Sequence, residues 1–183
     1  MAIGWEGELV RLVPLDADKH LANYVEWVND PEVTDGLLVG DLPMTLLAER
    51  EWFDQASRVS KTDVTFAIET LDGRHLGTSG IHQIDFRSGT CVTGSFIGDK
   101  TQWGKGYGSD AAKVRAKYCF DVLGLRVLYT AYLEGNDRSR RMSEKNGYRE
   151  CGRYPKKYWK RGRYRDEVIM YLDRETWQQT LNG

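Results

Sequence analysis

Trp103-Gly104-Lys105-Gly106-Tyr107-Gly108-Ser109 follows a strand-like segment, Thr90 to Ile97, and opens a helical pattern in which Ala112, Ala116, Cys119 and Leu123 recur until Gly124. Glycines let backbone amides approach a ligand and tolerate positive φ, and the first N–H groups of a helix have no intrahelical acceptor. The helix dipole adds attraction, so the stretch reads as an anion site suited to a phosphate or pyrophosphate, with Lys105 as a nearby positive charge. Its spacing differs from a Walker A loop, which closes on Gly-Lys-Ser/Thr, and from the G-x-G-x-x-G fingerprint of a βαβ dinucleotide site. A tight strand-to-helix turn that binds nothing would carry the same glycines, so the surroundings must decide between the two.

Outward from this loop, Glu8 to Leu15 alternates like a strand, and Asp16 caps a helical stretch that runs to Trp27 or Val28 and ends at Asn29-Asp30-Pro31. A glycine-punctuated loop, Asp35 to Pro43, precedes a second helix with Thr45 as its cap and Leu46, Leu47, Phe53 and Ala56 near one face. Val64 to Thr70, Leu76 to Phe86 and Thr90 to Ile97 form an expected antiparallel meander, turning at Asp72-Gly73 and Arg87-Ser88-Gly89. After the helix that follows the glycine loop come a strand, Arg126 to Leu133, and a short helix, Asp137 to Asn146, stopped by Gly147. A final strand pair, Tyr148 to Tyr154 and Tyr164 to Leu172, completes the pattern. This order predicts an α+β fold, a mixed and mostly antiparallel central sheet flanked by helices, in a single domain over residues 1–183.

The 40% hydrophobic content supports a core, and a formal net charge of −1 argues against a chain-wide nucleic-acid surface. No basic segment followed by an apolar run opens the chain, and no stretch approaches the roughly 20 apolar residues of a spanning helix, so a soluble cytoplasmic protein without a membrane partner is expected. Cys91, Cys119 and Cys151 lack CxxC spacing and nearby histidines; they read as buried free thiols, with no metal site.

Trp103-x-x-Gly106-x-Gly108 resembles the acetyl-CoA signature of the GNAT superfamily of N-acetyltransferases, Arg/Gln-x-x-Gly-x-Gly/Ala, with Trp103 in the Arg/Gln position. A tryptophan before Gly-Lys-Gly-Tyr is shared with the RimJ/RimL-like branch. The resemblance extends to Asn29-Asp30-Pro31, to Gly77 through Asp85, and to Asn136 through Gly147-Tyr148, and so spans almost the whole chain. It implies a splayed cofactor cleft, with Phe96, Ile97 and Gly98 meeting the pantetheine arm of acetyl-CoA. The loop residues Trp103, Gly104, Lys105, Gly106, Tyr107, Gly108 and Ser109 would surround the pyrophosphate, and Asn136 would hydrogen-bond the pantetheine. Asn136 and Asp137 are equally able to cap the short helix.

The implied reaction is direct transfer of an acetyl group to a primary amine, either a peptide N-terminus or a small molecule such as an amino sugar or polyamine, with no acyl-enzyme. Cys91, without a neighbouring base, reads as filler rather than nucleophile. Many members protonate the leaving thiolate from a tyrosine seven residues after the asparagine, which here is Ser143; the branch suggests Ser139 instead, and both remain candidates. Val92 and Thr93 stand where some members carry a basic carboxylate, and a second branch carboxylate maps to Tyr158. His82 is then a candidate base, since histidines titrate near neutrality as a class; a structural histidine bonded to Asp85 is the competing reading, and Tyr158 and a water relay stay open as alternatives. A non-catalytic acyl-CoA sensor or scaffold is the alternative function, and a homodimer is among the assemblies open to the chain.

Arg153, Lys156, Lys157, Lys160, Arg161, Arg163 and Arg165 are interleaved with Tyr154, Tyr158, Trp159 and Tyr164. A solvated hairpin tip is favoured over a nucleic-acid surface, with an acidic substrate as a third reading. Trp27, Trp52 and the loop from Asp35 to Leu42 are secondary candidates for the acceptor side.

Overall fold

A computed structural model describes residues 5–181. The elements in chain order are β1 (Trp5–Glu6), β2 (Val10–Pro14), α1 (Ala17–Val28), α2 (Pro31–Thr34), α3 (Leu46–Ala56), β3 (Val64–Thr70), β4 (His75–Asp85), β5 (Thr90–Ile97), α4 (Tyr107–Lys117), β6 (Val127–Leu133), α5 (Asp137–Lys145), β7 (Arg149–Lys160), β8 (Arg163–Asp173) and α6 (Arg174–Leu181). They build one eight-stranded sheet, ordered β1-β2-β3-β4-β5-β6-β8-β7. Every strand pair is antiparallel except β5 with β6. This is the mixed, mostly antiparallel sheet with flanking helices that the sequence predicts.

Local chemistry sets the boundaries. Asp16 accepts from the Asp18 amide at the start of α1, and Thr45 accepts from the Ala48 amide at the start of α3. Gly124 and Gly147 close their helices at φ of +67° and +85°, a region in which any Cβ is strained.

Residues directly opposite across a strand pair share a face, so the registers sort the side chains. Leu12, Ile68, Ile81, Cys91, Leu128 and Met170 lie on one face with Ala111, Val114 and Cys119 from α4 and its π-helical extension Tyr118–Val122, together with Trp177 of α6. Val13, Ala67 and Phe96 lie on the other, under Leu21, Tyr24 and Val28 of α1 and Phe53 of α3. Two helical layers therefore enclose the sheet, and anything that joins the two sides must pass through it.

Three expectations change. Leu46 and Leu47 are exposed at 55% and 68%, because α3 turns Phe53 rather than its first turn toward the sheet. Cys151 is exposed on β7, an edge strand, unlike the buried Cys91 and Cys119. The basic segment is a solvated tip only in part: Arg153, Lys156, Lys157, Arg161 and Arg163 are exposed, but Lys160 and Arg165 are buried. β7 and β8 extend to a two-residue turn at Arg161-Gly162, both with positive φ, and the hairpin folds back onto the loop after α2. Lys160, 1% exposed, donates to Val39 O at 2.8 Å and pairs with Asp41, while Arg161 reaches Thr34 and Gly40 O, and Arg165 grips the Asp35 carboxylate. Loop carbonyls and carboxylates hold these cations, which is why their charge is inward.

Candidate active site

β5 and β6 pair only at Thr90↔Val127, Cys91↔Leu128 and Val92↔Tyr129. The last ties are made by side chains: the Thr93 hydroxyl donates to Tyr129 O at 3.1 Å, and the Thr130 hydroxyl donates to Thr93 O at 2.9 Å. Beyond them the strands part. Residues 94–97 of β5 and 130–133 of β6 become the walls of a cleft of about 750 Å³ that passes through the sheet. Buried Arg115 of α4 donates to Gly94 O and to the Ser79 hydroxyl at the start of this gap, with its Nε unpartnered. No carboxylate pairs with it among the described residues, so the guanidinium's charge acts on the cleft floor it lines.

At one end of the cleft stands the glycine loop. Gly104 and Gly106 hold φ of +77° and +91°, and Gly106 is the N-cap of α4 without a side-chain cap. The amides of residues 104–109 donate to no acceptor among the described residues, which leaves a row of N–H groups facing the cleft at the positive end of a helix. A Cβ on Gly104 would meet nothing within 4 Å, and one on Gly108 would only touch Ile97 and Met142 at 3.5 Å, so the concavity has room for an anionic group. Trp103 secures the loop: its indole N–H donates to Ile97 O at 2.7 Å, and Arg138 stacks on its ring at 3.5 Å. Asp110, in the first turn of α4, accepts from the amides of Glu8, Leu9 and Val10 and ties the helix to β2. Arg138, Arg141 and Lys145 of α5 line the same end and make it electropositive.

The predicted residues divide. Phe96, Ile97, Trp103, Gly104, Gly106, Tyr107, Gly108, Ser109, Asn136, Ser139 and His82 all line the cleft. Gly98 does not: its amide donates to Leu76 O, and a Cβ there would strike Trp27 at 2.1 Å. Lys105 is exposed outside the cleft, with its ammonium on Gln102. Ser143, 2% exposed, faces the interior of the fold from α5, whereas Ser139, one turn earlier, faces the cleft. Tyr158 lies on β7 outside the lining residues and donates its hydroxyl to Glu167 at 3.5 Å. Asn136 caps α5 through the Ser139 amide and spends one amide hydrogen on Gly36 O.

His82 contacts Asp63 at 3.1 Å, not Asp85, whose carboxylate instead caps the Arg87 and Ser88 amides of its own turn. The Thr62 hydroxyl and the His82 ring hold the Asp63 carboxyl below its ordinary range, against its partial desolvation. An ionised Asp63 accepts from Nδ1–H and so leaves the lone pair on Nε2, which lies over Gly80 on the face shared with Phe96.

Glu167 was missed by the sequence reading. It lies opposite Leu133 across β6 and β8, lines the cleft, and pairs with Lys157, whose ammonium it holds above its ordinary range. Register was the usable signal, since alternation from the Tyr164–Leu172 run turns Glu167 to the same face as Arg165. Arg115 gave no signal, because one arginine in a helical pattern reads as surface.

A strand pair that opens beside an uncapped, glycine-led helix defines an acyl-CoA-binding acetyltransferase fold, and the comparisons agree. Residues 10–149 match the acetyltransferase (GNAT) domain family. The fold is shared with spermidine N-acetyltransferase from Vibrio cholerae, solved in complex with CoA and spermine, at 18% identity and TM-score 0.83 over 92% of this chain and 98% of that one. Mycobacterium smegmatis RimJ in complex with CoA-disulfide is similar at 16% identity and TM-score 0.82, over 94% of this chain and 88% of that one. A GCN5-related N-acetyltransferase from Brucella melitensis matches at 26% identity and TM-score 0.79, over 97% of this chain and 81% of that one. The chain belongs to the GNAT acetyltransferase family, an enzyme family whose acyl donor is acetyl-CoA.

Proposed function

We propose that this chain transfers an acetyl group directly from acetyl-CoA to a primary amine, in the manner of the RimJ/RimL-like branch, within one catalytic domain. The observation that carries the proposal is the row of unpartnered amides at the start of α4, opening onto a cleft that crosses the sheet. The amides of residues 104–109 take the pyrophosphate, and Arg138, Arg141 and Lys145 add charge to that end. The backbone of Phe96 and Ile97 and the remaining amide hydrogen of Asn136 align the pantetheine arm. Trp103 before Gly-Lys-Gly-Tyr, together with Ser139 in the cleft, supports the branch assignment.

The amine approaches from the face covered by α1 and α3 and attacks the thioester carbonyl. His82 removes its proton at Nε2, with Asp63 fixing the ring. The Ser139 hydroxyl donates to the departing sulfur, a modest task for a thiol of pKa about 8.5. Acetyl transfer and thiol release, followed with acetyl-CoA and an amine panel, test the reading. Gly108→Val should raise the Kd for acetyl-CoA at least tenfold, because φ there is ordinary and the added methyls enter the anion cradle rather than the core. Ser139→Ala and His82→Gln should lower kcat at least tenfold with the acetyl-CoA Kd unchanged. Saturable acetyl-CoA binding without amine-dependent thiol release would reject the transferase reading.

A further inference from the structure

We infer that the acceptor half of the cleft is built for a monoamine, one primary amine carried on an aromatic or branched aliphatic body. The inference rests on the transferase reading above and adds the acceptor class to it. Tyr24 and Trp52 stack at 4.9 Å and 9°, and Phe96 meets Tyr24 edge-on at 5.7 Å, giving an aromatic wall on the amine side. Leu37, Leu38 and Val39 face it from the loop after α2. Leu38 and Val39 are 55% and 40% exposed, apolar area turned into a concave site rather than into the core.

This aliphatic wall is held in place before any ligand arrives. Lys160 takes Val39 O and the Asp41 carboxylate, Arg161 takes Gly40 O, and Gly40 itself, at φ +81°, passes so close to Thr34 that a Cβ would fall 2.5 Å from its hydroxyl. A preformed apolar wall costs little ordering on binding, and its affinity grows with the apolar area an acceptor brings.

The charge count sets the number of amines. Glu167 is the sole carboxylate among the described residues that line the cleft, and Lys157 already neutralises it in part. The further ammonium ions of a polyamine would have to displace Lys157 from that carboxylate or be desolvated against leucine and valine. A polyhydroxylated amino sugar would likewise lose its water to the leucines, the valine and the aromatic rings of these walls.

The test measures kcat/KM with acetyl-CoA for 2-phenylethylamine, the peptide Phe-Gly-Gly, spermidine and glucosamine. Either of the first two should exceed both of the others at least tenfold, and which of them leads tells a free amine from a chain N-terminus. Spermidine or glucosamine matching or exceeding both apolar acceptors overturns the inference. Leu38→Asp, at an exposed position that leaves the fold intact, should lower kcat/KM for 2-phenylethylamine at least tenfold and narrow its lead over spermidine, with the acetyl-CoA Kd unchanged. An unaltered ratio overturns the role of this wall. Release of no thiol with any amine, by protein that binds acetyl-CoA, rejects the transferase reading itself and is distinct from turnover that favours spermidine.

Discussion

Asp110 gathers the amides of Glu8, Leu9 and Val10 onto one carboxylate while sitting in the first turn of the helix that carries the anion site. Its charge is placed favourably for the helix dipole, and its bonds lock α4 against β2. Replacement by alanine strands three amides around a buried position and should cost about 3 kcal/mol of stability, read as a lowered urea midpoint. Asp110→Asn, which keeps one acceptor, should lose less. Single residues also mark the limit of sequence reading. Ser139 and Ser143 differ by about one helical turn, yet only Ser139 meets the cleft, a distinction that rests on how α5 is rotated against α4. Capping is a local bond, so spacing narrowed the cap of α5 to Asn136 or Asp137, and the structure has it at Asn136.

At the level of elements, the clasp between the β7–β8 hairpin and the loop after α2 links a basic sequence segment to the acceptor site. Lys160 is buried with two oxygen partners on that loop, so Lys160→Ala leaves Val39 O and Asp41 without their cation. The loop should loosen, raising KM for the amine about fivefold or more while acetyl-CoA affinity, set at the far end of the cleft, stays the same; steady-state kinetics paired with cofactor titration separate the two. Composition could not show this contact. In a run of basic residues nothing local marks Lys160 and Arg165 as the two that are buried against a loop far away in sequence. The strand boundaries of β5 and the cap of α1 were readable because alternation and capping are short-range, whereas the first turn of α3 was misread because two adjacent leucines cannot say which face meets the sheet.

For the whole molecule, acid stability is concentrated where α1, β2, β3 and β4 meet. Buried Glu69 receives Arg11, Lys19 and His20, which hold its carboxyl below the ordinary range despite its desolvation. His75 stacks on His20 at 4.6 Å, donates from Nε2 to Gly77 O, and leaves a buried Nδ1 without a partner. Burial, with a smaller contribution from His20, lowers its pKa from 6.5 to about 4. The unfolded chain therefore binds a proton that the folded one refuses between those values, and stability must fall as pH drops from about 7 toward 4. The loss reaches about 3 kcal/mol for this residue, and chemical denaturation at pH 7 and pH 4.5 should show it. His75→Gln, which keeps a donor for Gly77 O and cannot charge, should flatten that slope.

The sequence by itself determined the family, the mixed sheet and the donor loop, because the glycine spacing, the caps and the strand alternation are all written within a few residues of one another. The resemblance implied a splayed cleft beside that loop, and only the tertiary structure decided where the strands part and which side chains line the gap. The parting of β5 from β6, the inward turn of Glu167, the Asp63 partner of His82 and the clasp of Lys160 join residues that are distant in sequence. Such contacts follow from register and packing across the whole sheet, which local pattern does not encode.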